Sequence, residues 1–451
     1  MNLSMFVKKN IKYVLLFILF FFCLHFFYCS VEGDLIYNFG FSYAIFNGEI
    51  PYKEFNMIIP PFGAYLYAIP FLLFGSNLLV LNLFQSFLLC FLFYLLFKLF
   101  DKKAYLFIPI VCMVIPFPFI TGMFAGYNFL LLLEVVLLLY LEKYNFNDYF
   151  IGVILGISIL TKQTVGFCFC LVSLYYFFKD KKKFLKRLCG FLVPCFIFLI
   201  YLIVTGSLVQ FFDMCLFGML DFTSSNGTII DYNFILFIIG LILVFYKIFK
   251  DKKNIMNYYI LAFSSVAVPL FDYYHVTLFI FVLLFFFIDK IKIKYKEVTL
   301  GFNCFIFALA LSLTWFCFFC KFTPNISNFN GFSLRVMSRD FEKEIIKINN
   351  FIMKNKDENI IILGSKAYAF KITNGMNINY YDLLNYGNHG YNGTNKIIEM
   401  IKCEKNPIFI VNIEEYKDNC SDRQQINKVV MKYVIDNYKE IEKIGEYVIY
   451  R

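Results

Sequence analysis

Three short polar groups, each placed between apolar stretches, contain the side chains best suited to chemistry. They are Glu32 with Asp34, Lys162 with Gln163, and Asp272 with Tyr274 and His275. A carboxylate or an imidazole within hydrogen-bond reach can move a proton, and a lysine can hold a phosphate as a point charge. Whether these groups do so depends on what surrounds them.

The composition indicates that the surroundings are a membrane. Hydrophobic residues make up 60% of the 451 residues and charged residues only 16%, whereas a soluble domain has about 25% charged residues. A bilayer accommodates exposed apolar side chains that would be unfavourable in water. The net charge of +10 does not indicate a nucleic-acid partner, because the basic residues lie in short runs between the apolar stretches.

The apolar stretches predict a polytopic α-helical membrane protein with about eleven transmembrane helices. The predicted spans are 11–29, 78–98, 104–120, 127–142, 149–161, 164–178, 187–206, 232–250, 256–271, 273–289 and 299–320. Several are shorter than the ~20 residues of a straight span, and residues 149–178 can also be interpreted as one long kinked helix. The composition becomes more polar after residue 320, which predicts two domains, 1–320 and 321–451.

The distribution of basic residues predicts the orientation. Alternate loops are rich in Lys and Arg, at 8–12, 98–103, 143, 179–187, 247–253 and 290–296. The opposite loops contain only Lys53 and Lys162. The positive-inside rule then places the amino terminus in the cytoplasm and, with an odd number of spans, residues 321–451 outside the plasma membrane. Asp34, Lys162 and the segment 272–275 share the extracytoplasmic level in this arrangement.

Each polar group also has an ordinary explanation. Asp34 can be a solvated carboxylate at the interface, and Lys162 can extend its ammonium group toward lipid headgroups. Asp272 can cap a helical turn in which His275 packs against aromatic rings. Because ionisable side chains at membrane depth are functional candidates by default, both explanations stay open at this point.

Two segments outside the spans are long enough to contribute to a binding site. Residues 29–77 form the first external loop, in which a short amphipathic helix at 35–46 is predicted to lie on the membrane. The tail predicts a small α/β domain, with strands at 359–363, 407–411 and 447–450 and helices at 339–353, 395–403 and 424–443. Its Gly- and Asn-rich loop 386–393 contains Asn388 and His389, which suit contact with sugar hydroxyls, although ordinary turns have the same composition.

The order of these motifs resembles the GT-C superfamily of membrane glycosyltransferases. The resemblance is to the bacterial branch related to dolichyl-phosphate-mannose–protein mannosyltransferases and the lipid A aminoarabinose transferase. In that group the first external loop has an early Asp, then a G–x–x–P–Y–x–(D/E)–F stretch and a Pro-Pro pair with a Gly further on. The matching residues are Asp34, Gly48, Pro51, Tyr52, Glu54, Phe55, Pro60, Pro61 and Gly75. Segments 161–164 (TKQT), 272–275 (DYYH) and 386–393 (YGNHGYNG) are also similar to segments of the bacterial relatives.

The resemblance implies an enzyme that transfers a sugar from a polyprenyl-phosphate carrier, with inversion, to a hydroxyl of a glycan, lipid or protein acceptor. It implies Asp34 as the general base with Glu32 in reserve, and Lys162, Gln163 and His275 as ligands of the donor phosphate. The residues implied to bind the substrates are Tyr52, Glu54, Asp272, Tyr274, Asn388 and His389. No cofactor is called for, and a divalent metal ion is left open, although the sequence has no metal-ligand spacing such as CxxC with His.

One departure and two rival functions limit this interpretation. Asp34 is followed by Leu35 rather than by a second acid, which argues against protein O-mannosylation. A transporter of lipid-linked oligosaccharides or lipids would need charged residues near mid-membrane and often has internal repeats. In this sequence, few charged residues besides Glu134 lie within the predicted spans, and no internal repeat is found. A polysaccharide polymerase or ligase usually has its long loop mid-chain, whereas here it comes first.

The predicted orientation can be tested with a tag at the carboxyl terminus. Because the basic loops are expected to stay in the cytoplasm, a protease added to intact cells or spheroplasts should remove this tag, as seen by immunoblot. A tag at the amino terminus is the protected control. Protection of the carboxyl-terminal tag would contradict the arrangement of eleven spans with the amino terminus inside.

Overall fold

A computed structural model describes residues 29–30, 34–100, 126–225, 232–283, 326–329, 332–335, 339–418 and 426–451. The predicted spans 11–29, 104–120 and 299–320 and the candidate Glu32 lie outside the described residues, apart from Cys29. The described helices are, in chain order, α1 (Asp34–Phe46), α2 (Phe62–Phe74), α3 (Leu78–Phe100), α4 (Tyr127–Lys143), α5 (Asp148–Thr161), α6 (Gln163–Lys179), α7 (Lys181–Thr205), α8 (Leu208–Phe212), α9 (Gly218–Ser225), α10 (Tyr232–Lys250), α11 (Ile255–Phe263), α12 (Tyr273–Leu283), α13 (Arg339–Lys354), α14 (Ala367–Thr373), α15 (Gly393–Cys403), α16 (Ile413–Lys417) and α17 (Lys428–Asn437).

The strands form two small sheets. They are β1 (Cys29–Ser30), β2 (Ile326–Phe329), β3 (Phe332–Arg335), β4 (Ile360–Leu363), β5 (Ile408–Asn412), β6 (Glu440–Ile444) and β7 (Tyr447–Tyr450). The first sheet has the order β1-β3-β2 and the second the order β4-β5-β7-β6. Only β4 with β5 and β1 with β3 pair in parallel among the described strands. The structure is thus mostly helical with a small carboxyl-terminal sheet.

The chain divides into two compact units. Unit 1 comprises residues 1–28, 77–195 and 229–323, and unit 2 comprises residues 29–76, 196–228 and 324–451. The segment 29–76, predicted as the first external loop, therefore belongs to the same compact unit as the tail. The division into domains 1–320 and 321–451 stays a prediction.

Three described helices are long and apolar enough to cross a membrane. They are residues Leu78–Leu96 of α3, α7 and α10. Four shorter apolar helices are α2, α5, α11 with the turn that follows it, and α12. Most large apolar side chains of α7 and α10 are exposed, Phe196, Ile197 and Phe245 among them, as expected of helices whose surroundings are lipid.

Helix α4 is the central helix of unit 1. Its residues from Asn128 to Val136 are all buried, and a helix that is apolar all round is expected in an interior rather than at a surface. Helices α3, α5 and α11 pack against it. Polar side chains on α4 are therefore held inside the protein, where each needs a partner.

Arg187 of α7 joins four other helices of unit 1. Its guanidinium binds Glu142 of α4 through two nitrogens, at 2.5 and 3.1 Å, and Asp148 of α5 at 2.9 Å. The ring of Tyr176 stacks 4.1 Å from its central carbon, and the hydroxyl of Tyr259 donates to Glu142. The sequence analysis places Arg187 in the basic loop 179–187. In the structure, Arg187 is instead buried in ion pairs.

Helix α1 forms as predicted, but it packs into the interior of unit 2 instead of presenting one face to lipid. Ile36, Phe39 and Ala44 are fully buried, and the Tyr37 hydroxyl donates to the carbonyl of Ser365 in the tail. A Cβ at Gly40 would collide with the ring of Tyr368. Glycine at this position lets α1 approach α14 closely.

The sheet β4-β5-β7-β6 contains the three predicted strands and one that was not predicted, and β2 and β3 of the other sheet were not predicted either. The predicted helix at 424–443 is too long: α17 ends at Asn437, and Glu440–Ile444 forms β6, antiparallel to β7. A tight turn at Gly445, with φ +56°, closes this hairpin. Because β6 is an exposed edge strand with charged side chains, its composition does not differ from that of a surface helix.

Removing the buried guanidinium should destabilise unit 1. Arg187→Met leaves the buried carboxylate of Glu142 and the partly buried one of Asp148 without their cation, which costs about 3–5 kcal/mol, so we expect a clearly lower midpoint of thermal denaturation in detergent. Lys182→Met, an exposed cation on the same helix, is the matched control. Equal midpoints for the two variants would show that the ion pair contributes no stability.

Candidate functional site

The corner at Lys162 separates two antiparallel helices of unit 1. Helix α5 ends at Thr161 and α6 begins at Gln163, so Lys162 alone connects them, with extended backbone (φ −153°, ψ 114°). Gly166 lies against the backbone of Ile159, and the Cys170 thiol points to the carbonyl of Leu155. The alternative of one long kinked helix over 149–178 is therefore wrong.

Lys162 and the residue before it both contact α4. The Lys162 ammonium lies 5.3 Å from the centre of the Tyr127 ring, which is within the range of a cation–π interaction. The Thr161 hydroxyl donates to a carboxyl oxygen of Glu134 at 2.6 Å. The corner is thus attached to α4 at two points.

Asp272 and His275 form a hydrogen-bonded pair at the start of α12. A carboxyl oxygen of Asp272 accepts from the backbone N–H of His275 at 3.0 Å and lies 2.8 Å from Nδ1 of its ring. Asp272 thus caps the helix and orients the imidazole. The ring is buried, and its Nε2 lies 3.5 Å from the side-chain nitrogen of Asn128. Tyr274 is 36% exposed, and its ring packs edge-on against Tyr273.

Two predicted donor-phosphate residues thus meet the same end of one helix. Lys162 contacts Tyr127 and His275 faces Asn128, and these two residues open α4. An ammonium group and a helix amino terminus both attract an anion, and the Asp272 carboxylate is already bound to Nδ1 of the imidazole. Sequence reasoning missed Tyr127 and Asn128, because neither stands out in the apolar run that begins there.

Unit 2 contains the described candidates of the segment 29–76. Asp34 is the first residue of α1. Tyr52 is fully buried with a positive φ of 69°, and its hydroxyl donates to the carbonyl of Ile59 at 2.8 Å. Glu54 is exposed and accepts from the backbone N–H of Ile50 at 2.6 Å. These contacts give the loop after α1 a defined shape.

Asn388 and His389 are buried in unit 2. The side-chain nitrogen of Asn56 donates to the carbonyls of Tyr380 and Asp382, at 2.9 and 2.6 Å, and this uses both of its protons. Nε2 of His389, also 2.9 Å from the Tyr380 carbonyl, is therefore the donor to it. Burial lowers the pKa of His389 to about 4, so the ring is neutral at physiological pH.

The glycines of the loop 386–393 permit close contact with the segment between α8 and α9. Gly387 and Gly390 have positive φ values of 88° and 80°, and the Gly387 backbone lies against Gly218. The backbone N–H of Tyr391 donates to Asp213 at 3.2 Å. The Gly- and Asn-rich composition is thus explained in part by this docking.

A buried acidic pair in unit 2 was not anticipated from the sequence. Burial raises the pKa of Glu49 to about 8, and the nearby Asp382 and Glu54 carboxylates raise it further, while Lys371 lowers it. Burial also raises the pKa of Asp382, against the opposing effects of Lys371 and a hydrogen bond from the Asn379 amide. Both acids therefore favour the protonated form more than exposed carboxylates do.

The described residues contain no group of three or more His, Cys, Asp or Glu side chains that could hold a metal ion.

The acidic pair predicts a pH-dependent stability of the loop after α1. In the folded state Glu49 keeps a proton that the unfolded chain releases above its usual pKa of 4.5, so unfolding becomes easier as the pH rises from 4.5 to 8. Glu49→Gln cannot release this proton. Hydrogen exchange of residues 44–56, corrected for its intrinsic pH dependence, should show the variant gaining protection relative to wild type across this interval. Glu399→Gln, an exposed acid, is the control, and parallel profiles for all three proteins would contradict the assignment.

The fold is similar to that of ArnT from Cupriavidus metallidurans in two crystal structures. With undecaprenyl phosphate bound, the TM-score is 0.56 at 10% identity, covering 98% of this chain and 98% of that chain. In the apo state it is 0.54 at 9% identity, covering 99% and 98%. No protein-family model matches the sequence, and no curated protein matches it. The chain thus shares the fold of ArnT, which agrees with the resemblance indicated by the motifs, and it is a membrane protein.

Proposed function

We propose that this chain transfers a sugar from a polyprenyl-phosphate-linked donor to an acceptor hydroxyl at the outer face of the plasma membrane, with inversion at the anomeric carbon. The observation that carries the proposal is the contact of Lys162 and His275 with the adjacent residues Tyr127 and Asn128. A cation and an oriented imidazole at one helix end, inside a membrane protein, are suited to a lipid-borne phosphate.

The leaving group determines what the enzyme must supply. When the bond between the anomeric carbon and the phosphate oxygen breaks, its electron pair goes to the phosphate, which gains negative charge. Positive charge and hydrogen-bond donors placed there stabilise the transition state. We assign this role to Lys162, with Gln163 and His275 as further ligands of the phosphate. A protonated carboxylic acid of the glycosidase kind is unnecessary, since a phosphate leaves readily.

Asp34 is proposed as the general base. The acceptor hydroxyl forms the new bond to the anomeric carbon, and its proton passes to the Asp34 carboxylate and then to solvent. Such a base typically contributes about 10²–10⁴-fold to the rate. Glu32 is the reserve candidate. A single displacement of this kind accounts for inversion.

The other proposed substrate residues differ in exposure, which suggests two kinds of role. Glu54 and Tyr274 are exposed and are proposed to contact the acceptor or the sugar directly. Tyr52, Asn388 and His389 are buried and hydrogen-bonded within the protein, and Asp272 holds His275. We propose that these four shape the binding surfaces.

The carrier lipid is proposed from chemistry and from the fold. ArnT, whose fold this chain shares, has been crystallised bound to undecaprenyl phosphate. A prenyl chain needs an apolar surface, and α7 and α10 expose many apolar side chains. The proposal includes eleven spans with the amino terminus in the cytoplasm and residues 321–451 outside, which places donor and acceptor on the extracytoplasmic side.

The first test compares carrier lipids in cells that make wild-type protein or Asp34→Asn. Without the base, transfer should fall at least ~100-fold, so a polyprenyl-phosphate sugar should accumulate in the membranes of the variant. Mass spectrometry of extracted lipids would detect it and identify the sugar. Asp357→Asn, an exposed acid in the tail, should leave the lipid pattern as in wild type.

Two outcomes would count against the proposal. Wild-type transfer by Asp34→Asn would remove Asp34 as the base. Identical carrier-linked species in cells with the protein and in cells lacking it would instead favour transport of a lipid-linked glycan.

A further inference from the structure

We infer that Glu134 is a positioning residue for the donor-phosphate site, acting on Lys162 through Thr161. This inference rests on the proposed function and deepens it, because it names a residue that the motifs do not include. Glu134 is 6% exposed in the middle of α4. A carboxyl group in such a place is costly for a membrane protein and is expected to serve a function.

The contact of Glu134 is with the last residue of α5. The Thr161 side chain is fully buried, and its hydroxyl donates to Glu134 at 2.6 Å. Thr161 immediately precedes Lys162, so the two Cα atoms are about 3.8 Å apart. Any displacement of Thr161 relative to α4 therefore moves the backbone of Lys162 by a similar amount.

The geometry of α4 makes the two attachments act together. Tyr127, which lies under the Lys162 ammonium, and Glu134 are seven residues apart, which places them on one face of the helix about 10 Å from each other. One attachment holds the backbone before Lys162 and the other holds its charged end. Only one residue connects α5 and α6, so a shift at the Thr161–Glu134 contact also shifts the Lys162–Tyr127 contact.

The proposed role of Glu134 depends on the position of its acceptor oxygen rather than on its negative charge. Glu134 has a carboxyl oxygen where Thr161 needs an acceptor, and glutamine offers an acceptor of the same reach. Glu134→Gln should therefore behave as wild type, whereas Glu134→Leu and Thr161→Val each remove the contact. Ser173→Ala deletes a buried hydroxyl of α6 that has no hydrogen-bond partner in the described structure, and it serves as the control.

The test measures binding of undecaprenyl phosphate to the purified full chain in detergent by native mass spectrometry. Lys162→Met should weaken binding by at least about tenfold, since it removes a hydrogen bond between two charged groups. Glu134→Leu and Thr161→Val should each weaken it about three- to tenfold, as a misplaced ligand would. In the Lys162→Met background neither substitution should weaken it further, because the loss passes through Lys162.

The outcomes separate this inference from the proposed function. Suppose that Lys162→Met weakens the affinity for undecaprenyl phosphate, whereas Glu134→Leu and Thr161→Val both bind it as wild type does. This result would overturn the positioning role alone. Equal additional losses in the Lys162→Met background would also overturn it, since they would show a general structural effect. Absence of binding by the wild-type chain would overturn the proposed function and the inference with it. If Glu134→Leu fails to fold, Thr161→Val still decides the result.

Discussion

Unit 1 depends on one constraint: a polar side chain inside an apolar interior must find a partner within the protein. Helix α4 is buried on all sides, yet it carries Asn128, Glu134 and Glu142. Each of these meets a polar group on another helix, namely His275, Thr161 and Arg187. Apolar side chains pack in many equivalent ways, whereas these hydrogen bonds permit one register of the neighbouring helices, so they determine where the charged groups lie.

The two ends of α4 have different tasks. At its carboxyl end, Glu142 and Arg187 neutralise each other and hold α5, α6, α7 and α11 together. At its amino end, Lys162 lies over the Tyr127 ring, and Asp272 orients the His275 ring beside Asn128. Removing one partner of a buried ion pair leaves the other charge uncompensated, so the pair at the carboxyl end has a structural role.

Unit 2 contains a long loop that is largely buried within the unit. A buried loop has backbone polar groups that must be satisfied. Asn56 satisfies two carbonyls of the tail, and the Tyr37 hydroxyl satisfies a third. The segment 29–76 and the tail therefore fold together in unit 2, and Asp34 is placed by α1, a helix with fully buried side chains.

The sequence by itself determined the class of the protein and most of its elements. Hydropathy depends on composition over short windows, so the apolar helices of α3, α7 and α10 and the strands β4, β5 and β7 were predicted near their observed positions. The motif order indicated a resemblance with which the ArnT-like fold agrees. The edge strand β6 was missed, because a charged, exposed strand and a surface helix have similar composition.

Only the tertiary structure decided which polar residues meet. Lys162 and Tyr127 are far apart in the sequence, as are His275 and Asn128, and no periodicity links them. The same is true of Glu134 with Thr161 and of Glu49 with Asp382, whose acidity depends on burial that a local pattern does not reveal. Spacing along the chain predicts contacts within one element, whereas contacts between elements are set by how their buried polar groups are satisfied together.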